Sequence, residues 1–319
     1  MGEGIKVGGY NPIIIDGVEF KDVLNLSTKW QWVDDVGTQE ISADYFVSHK
    51  NKIHAFSGKN HYRLDGDVWV ADISSPVSVK NTTQLCSDDD YLYLIDKFNC
   101  YRFDGTAFTL VCTIPTSYTN LSSRGMPAVD KANKRLYTIF APDNGSTSIN
   151  KRTEAICGYI NLQALTWNTI ATHPYPDGTD LFMLNGELYS VGYEGIKTSN
   201  SAPTKTTNIH KLNADSWTEI VSATAVVGST TLYNHPMGII PIDNVAYLAS
   251  YKKMTFYTFN GTSLEASKYM PPVPYRGTCI GNQNKIHAFG SLFVGTSDSA
   301  NVELGGQHHV LEKVLCLEV

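Results

Sequence analysis

Short segments in which apolar and aromatic residues alternate with period two recur along this chain, separated by turns rich in Asn, Asp, Gly and Lys. The clearest, NKIHAF from Asn51 to Phe56, returns unchanged from Asn284 to Phe289. Degenerate copies lie between them: YLYLI from Tyr91, RLYTI from Arg135, ELYSV from Glu187 and VAYLA from Val245. Aligned on the shared ring position they bring His54, Tyr93, Tyr137, Tyr189, Tyr247 and His287 into register, on average about 47 residues apart. Period two over some five residues predicts a strand with two distinct faces. Each copy follows a second short run, YFVSHK, QLCSDDD, PAVDKANK, LFMLNG, GIIPIDN or TCIGNQ. The pairs predict hairpins, because the junction residues supply the positive φ that tight turns require.

A third and a fourth strand follow in most units. HYRLDGDVW ends at Trp69, CYRFDGTAF at Phe108, IHKLNADSW at Trp217 and FYTFNGTSL at Leu264, with the variant GYINLQALTW ending at Trp167. A ring residue, then Asp or Asn with Gly or Ala, then a bulky apolar residue describes a strand, a tight turn and an anchored outer strand. Four strands per unit, repeated about six times, predict an all-β propeller. The pattern resembles the kelch family, with Ser57-Gly58, Val191-Gly192 and Phe289-Gly290 standing where that family has a double glycine. The resemblance spans nearly the whole chain and implies architecture rather than activity. The expected fold is a six-bladed, alternatively seven-bladed, kelch-like propeller. Trp30 to Asp35 at the N-terminal end would supply the strand that the last unit lacks, removing exposed edges. Residues 18–319 then form the propeller, and residues 1–17 form an N-terminal arm.

Composition agrees and narrows the partners. With 42% hydrophobic residues, 25 Gly and 18 Tyr, the chain has the material for many short strands. A net charge of -6 without a Lys/Arg block argues against a nucleic-acid partner. No signal peptide and no apolar run long enough for a membrane span are visible, so the expected location is cytoplasmic or particle-associated. The six cysteines contain no CxxC pair and are expected as buried free thiols.

Connections between second and third strands lie on one face of a propeller, and three are long here: PDNGSTSINKRTEA, YEGIKTSNSAPTKTTN and SLFVGTSDSANVELGGQ. Lys151, Arg152, Tyr193, Lys197, Lys205 and Asp298 are the candidate binding residues they carry. Tyr10, Ile13, Ile14 and Ile15 are either an extra strand on the propeller or an arm that docks on a protein partner. The ring of His54, Tyr93, Tyr137, Tyr189, Tyr247 and His287 recurs in every unit, so it is assigned to packing rather than to ligation.

No metal site and no cofactor are expected. His308 and His309 are adjacent on one strand and face opposite ways. Asp88-Asp89-Asp90 lacks the spacing of a calcium loop and reads as a solvated turn. There is no G-x-S-x-G, HExxH or P-loop motif, no Asp-box of the kind sialidases repeat, and only six arginines. The expected function is non-enzymatic: a binding or structural propeller that presents loops to a surface glycan or protein. GGYNPIIIDGVEF resembles the anchoring starts of phage tail-tip and fibre proteins, which implies a particle component. A cytoplasmic kelch-type interaction scaffold and a sugar enzyme of sialidase or epimerase type are the alternatives.

Overall fold

The computed structural model describes residues 13–15, 18–20, 25–34, 43, 45–66, 68–80, 83–115, 125–140, 156–174, 180–196, 204–224, 239–242, 244–249, 256–266, 275–282, 285–292 and 304–318. Every regular element among them is a β-strand. The strands described within 45–71, 83–113, 128–169, 180–224 and 239–266 form, in each range, a four-stranded antiparallel meander in chain order. These are five propeller blades. A further four-stranded sheet joins Tyr275–Asn282, Lys285–Leu292 and Leu304–Glu318 to Asn25–Asp34 from the other end of the chain, with Lys313 opposite Trp30. The first strand of each sheet contacts the first strand of the next, and the strand Tyr275–Asn282 contacts both the fifth blade and the first. Ile13–Ile15 and Val18–Phe20 pair in a separate two-stranded sheet.

The repeated sequence signature has a local cause. In the second blade Asp104 Oδ1 accepts hydrogen bonds from the Thr106 and Ala107 amides at 2.7 and 2.9 Å, closing the turn between the third and fourth strands. Asn260 does the same for Thr262 and Ser263 in the fifth blade, and Asn161 for Gln163 and Ala164 in the third. A short side-chain acceptor that bonds amides two and three residues on is what this turn demands. Gly105 and Gly261 then take φ of 106° and 101°, values that L side chains rarely adopt.

Apolar residues are buried between blades rather than in one central mass. Val47, Phe56 and Val79 meet Leu92, Leu94 and Phe103 between the first and second blades. Tyr93, Ile95 and Cys100 meet Leu136, Phe140 and Ile160 at the next junction, and Tyr137, Ile139 and Cys157 meet Leu181 and Leu188 at the one after. Phe182, Tyr189 and Ile209 meet Ile239, Leu248 and Phe259 between the fourth and fifth. Hydrogen bonds cross the same junctions. The Gln84 side chain donates to the Ile139 carbonyl at 3.3 Å and accepts from Thr138 Oγ1 at 2.5 Å, while Asp180 accepts from the Met126 amide at 2.6 Å. The described cysteines Cys86, Cys100, Cys112 and Cys157 are free thiols, and burial pushes Cys157 up to about 11.

Candidate functional site: the axial cavity

Each first strand is the inner edge of its sheet, so one row of its backbone N–H and C=O groups has no ladder partner within that sheet. Arranged side by side, these edges surround a cavity of about 950 Å³. Its walls mix apolar side chains, Phe46, Leu85, Met126, Phe182 and Ile240 among them, with Ser48, His49 and Ser87. Ser87 donates through its hydroxyl to the Ser48 carbonyl of the neighbouring blade, tying two inner strands together.

The rim is built from the turns that end the first strands. Lys50 and Asn51 have φ of 47° and 61°, and Asn185 and Gly186 have 54° and 78°, the left-handed values a two-residue hairpin needs. Asp88, on the second-blade turn, is buried: Oδ1 accepts from the Asp90 and Tyr91 amides at 2.8 and 2.7 Å, and Oδ2 accepts from the Tyr93 hydroxyl at 2.8 Å. Asp130 on the third-blade turn accepts from the Asn133 amide and side chain at 3.0 and 2.7 Å. Between these turns exposed Asp89 meets Lys131 at 2.6 Å, and that hydrogen bond holds the Asp89 carboxyl below its usual range. His49, at the end of the first inner strand, is buried with both ring nitrogens lacking a hydrogen bond of good geometry. Burial lowers its pKa, against an opposing pull from the Asp88 backbone.

This cavity opens among the turns that join first to second strands. The loops expected to carry the binding residues leave the opposite ends of those sheets, after Phe140, Ile196 and Leu292. Lys151, Arg152, Lys197 and Asp298 lie outside the described residues, as does Tyr10. Tyr193 and Lys205 are on strands, for the fourth-blade hairpin extends through both, with Tyr193 opposite Thr207 and Lys205 opposite Gly195. The long loop there is therefore shorter than the sequence suggests. Ile13, Ile14 and Ile15 lie in the two-stranded sheet.

The recurring ring position is buried in every unit, from Tyr93 at 2% exposure to His287 at 9%, as packing requires. Its hydroxyls serve the blade: Tyr93 donates to Asp88, Tyr189 donates to Glu187 at 3.1 Å, and Tyr137 accepts from Arg135 at 3.3 Å. Reading Asp88-Asp89-Asp90 as a solvated turn holds for Asp89 and Asp90 but not for Asp88. Its partner Tyr93, five residues on at the ring position, was the available signal. His49 had none, because the first strands differ too much between units to show a common position.

No protein-family model matches the chain, and no curated protein matches it. Solved structures are similar in fold, among them the following three. One described as the structure of YjhT is 10% identical, with a TM-score of 0.52 over 86% of this chain and 95% of that one. A protein of unknown function from Bacteroides thetaiotaomicron is 11% identical, with a TM-score of 0.52 over 94% and 80%. A calcium-binding protein, regucalcin, from Agrobacterium tumefaciens is 10% identical, with a TM-score of 0.54 over 86% and 90%. Likeness at such identity speaks for architecture alone, and with the blades described above it establishes that the chain folds as an all-β propeller.

Proposed function

We propose that this chain is a binding propeller of kelch-like type without catalytic activity, a ring of six blades closed by its N-terminal strand, which takes a small polar ligand such as the end of a surface glycan into its axial cavity. The observation that carries this is the cavity itself. Its volume of about 950 Å³ falls at the upper end of ligand pockets, whose usual range is roughly 300–1,000 Å³. Apolar walls with strand-edge backbone groups that lie outside the sheet ladders and a few polar side chains are the composition that holds and orients a small ligand.

Binding is favoured over catalysis by how the polar groups are used. Asp88 and Asp130 spend their oxygens on closing turns, and Asp89 is paired with Lys131. A general acid or base needs a carboxylate free to exchange its proton with substrate. The arginines with described side chains also serve their own blades: Arg63 faces Asp72, and Arg102 and Arg135 lie over the rings of Tyr91 and Tyr159. In the same reading Tyr10 and Ile13, Ile14 and Ile15 dock on a protein partner, as a subunit of a phage tail or similar particle would. The separate sheet formed by Ile13–Ile15 and Val18–Phe20 supports that part.

The test is a glycan array probed with the chain and with a copy lacking residues 1–17, with light scattering for mass. Glycan binding by both forms is expected. Absence of any glycan signal, with an assembly that disappears on deleting the arm, would replace the proposal with a structural subunit whose partner is protein.

A further inference from the structure

We propose that His54, His61 and Asp72 of the first blade form a binding site for one divalent transition cation of the zinc class. The three residues come from the second strand, the start of the third and the position just after the fourth, and one ligand atom from each lies within 4.8 Å of the others. The Asp72 amide donates to the His61 carbonyl at 2.8 Å, so the backbone already fixes two of the ligands relative to each other.

The hydrogen bonds define which nitrogen faces inward. His61 Nδ1 lies 3.0 Å from the Ile73 carbonyl, which only accepts, so Nδ1 carries the proton. With the ring neutral, His61 Nε2 presents its lone pair to His54 Nδ1 at 2.9 Å. Burial keeps both rings neutral, and for His54 the value falls to about 3. A histidine that donates one ring N–H to a backbone carbonyl and so keeps the lone pair of the other nitrogen available is arranged as metal-ligating histidines are.

The ring is also held in place. His61 stacks on Phe56 with centroids 4.4 Å apart and meets the edge of Phe103 at 5.1 Å. Tetrahedral zinc with bonds of about 2.0–2.1 Å sets its nitrogens about 3.3 Å apart, so the two nitrogens must separate by a few tenths of an ångström and both rings must turn their lone pairs toward the ion. His54 would then carry its proton on Nε2 in place of Nδ1.

Asp72 supplies the negative charge. Its Oδ1 accepts from the Ile73 amide at 2.8 Å, and its Oδ2 faces Arg63 at a long 3.3 Å. That contact is long and Arg63 Nε makes no hydrogen bond, so a cation at this oxygen would displace a single long guanidinium contact. Two imidazoles and one carboxylate leave a further position for water, the donor set that zinc and its first-row neighbours accept.

The test uses the full chain stripped with chelator, titrated calorimetrically with zinc chloride and followed in parallel by the visible absorption of cobalt(II). One zinc per chain at micromolar affinity or tighter is expected, with cobalt bands typical of tetrahedral nitrogen and oxygen ligation. His61→Gln and Asp72→Asn should each weaken binding at least about tenfold, the effect that even loss of an outer-shell partner produces. His308→Gln, on the C-terminal strand, should leave it unchanged. Circular dichroism checks that the variants fold, and Asp72→Asn, only partly buried, keeps the test open where His61→Gln does not. Failure of the parent chain to bind zinc, or binding that Asp72→Asn leaves untouched, would overturn the assignment.

Discussion

The junction between the first and second blades and the junction between the fourth and fifth solve one packing problem with different chemistry. In the latter, Phe182, Tyr189 and Phe259 form a ring cluster with centroids 5.2 to 6.1 Å apart, backed by Ile239 and Leu248. In the former, imidazoles replace part of it: His49 and His54 lie 5.8 Å apart, His54 and His61 lie 5.1 Å apart, and both of the latter contact Phe103. The fold asks each junction for flat rings of a given size. It does not ask for their polarity, which leaves the first junction free to carry polar groups at an unfavourable cost of burial.

The apolar junction should be the more sensitive to truncation. Phe259→Ala removes a fully buried ring shared by two blades and should cost about 3–5 kcal/mol, measured by urea unfolding. A loss below about 1 kcal/mol would mean that the junction collapses to fill the space and that the blades do not depend on it.

The imidazole junction should instead be sensitive to acid. His49, His54 and His61 all have folded values depressed below 6.5 by burial. An unfolded chain protonates these rings below its ordinary value while the folded chain does not, so stability is complete above 6.5 and falls as pH drops toward about 3. From pH 6.5 to 5 the loss should approach about 2 kcal/mol for His54, the ring whose value falls furthest. Replacing His54 and His61 together by Leu should flatten the profile over that interval in chelator-treated protein. A variant that keeps the same acid slope would place the sensitivity elsewhere.

Turns should matter less. Asn260→Ala deletes the acceptor that closes the last turn of the fifth blade, at an exposed position, and should cost about 1 kcal/mol by thermal or urea unfolding. Weaker still, Lys131→Ala removes an exposed ion pair with Asp89 and should change stability by less than about 1 kcal/mol, an effect that added salt erases.

Much of the fold could be read from the chain because its repeat expresses two physical demands directly. The Asp or Asn of each outer turn is an amide acceptor, and the alternating second strand, with its buried ring, is the middle of a sheet. The binding face could not be read in the same way. Loop length drew attention to Lys151, Tyr193, Lys197 and Lys205, yet Tyr193 and Lys205 continue a hairpin. A cavity arises only when the inner strands stand side by side, and backbone edges leave no mark on residue identity. His61 was hidden for a related reason: Cys100 occupies the equivalent position in the second blade, so no repeat marks the histidine as special, and Asp72 lies in a connection outside the pattern.

Where a ligand sits on the propeller decides between its two faces. A glycan identified on the array should be titrated calorimetrically into the parent chain, into Ala132→Trp, which places a large ring on an exposed turn at the cavity rim, and into a variant with Lys151 and Arg152 both changed to Ala. Binding lost in Ala132→Trp and kept in the double-alanine variant is the predicted result. Binding kept in Ala132→Trp and lost in the double-alanine variant would put the ligand on the opposite face, among the long loops, and would contradict the axial site.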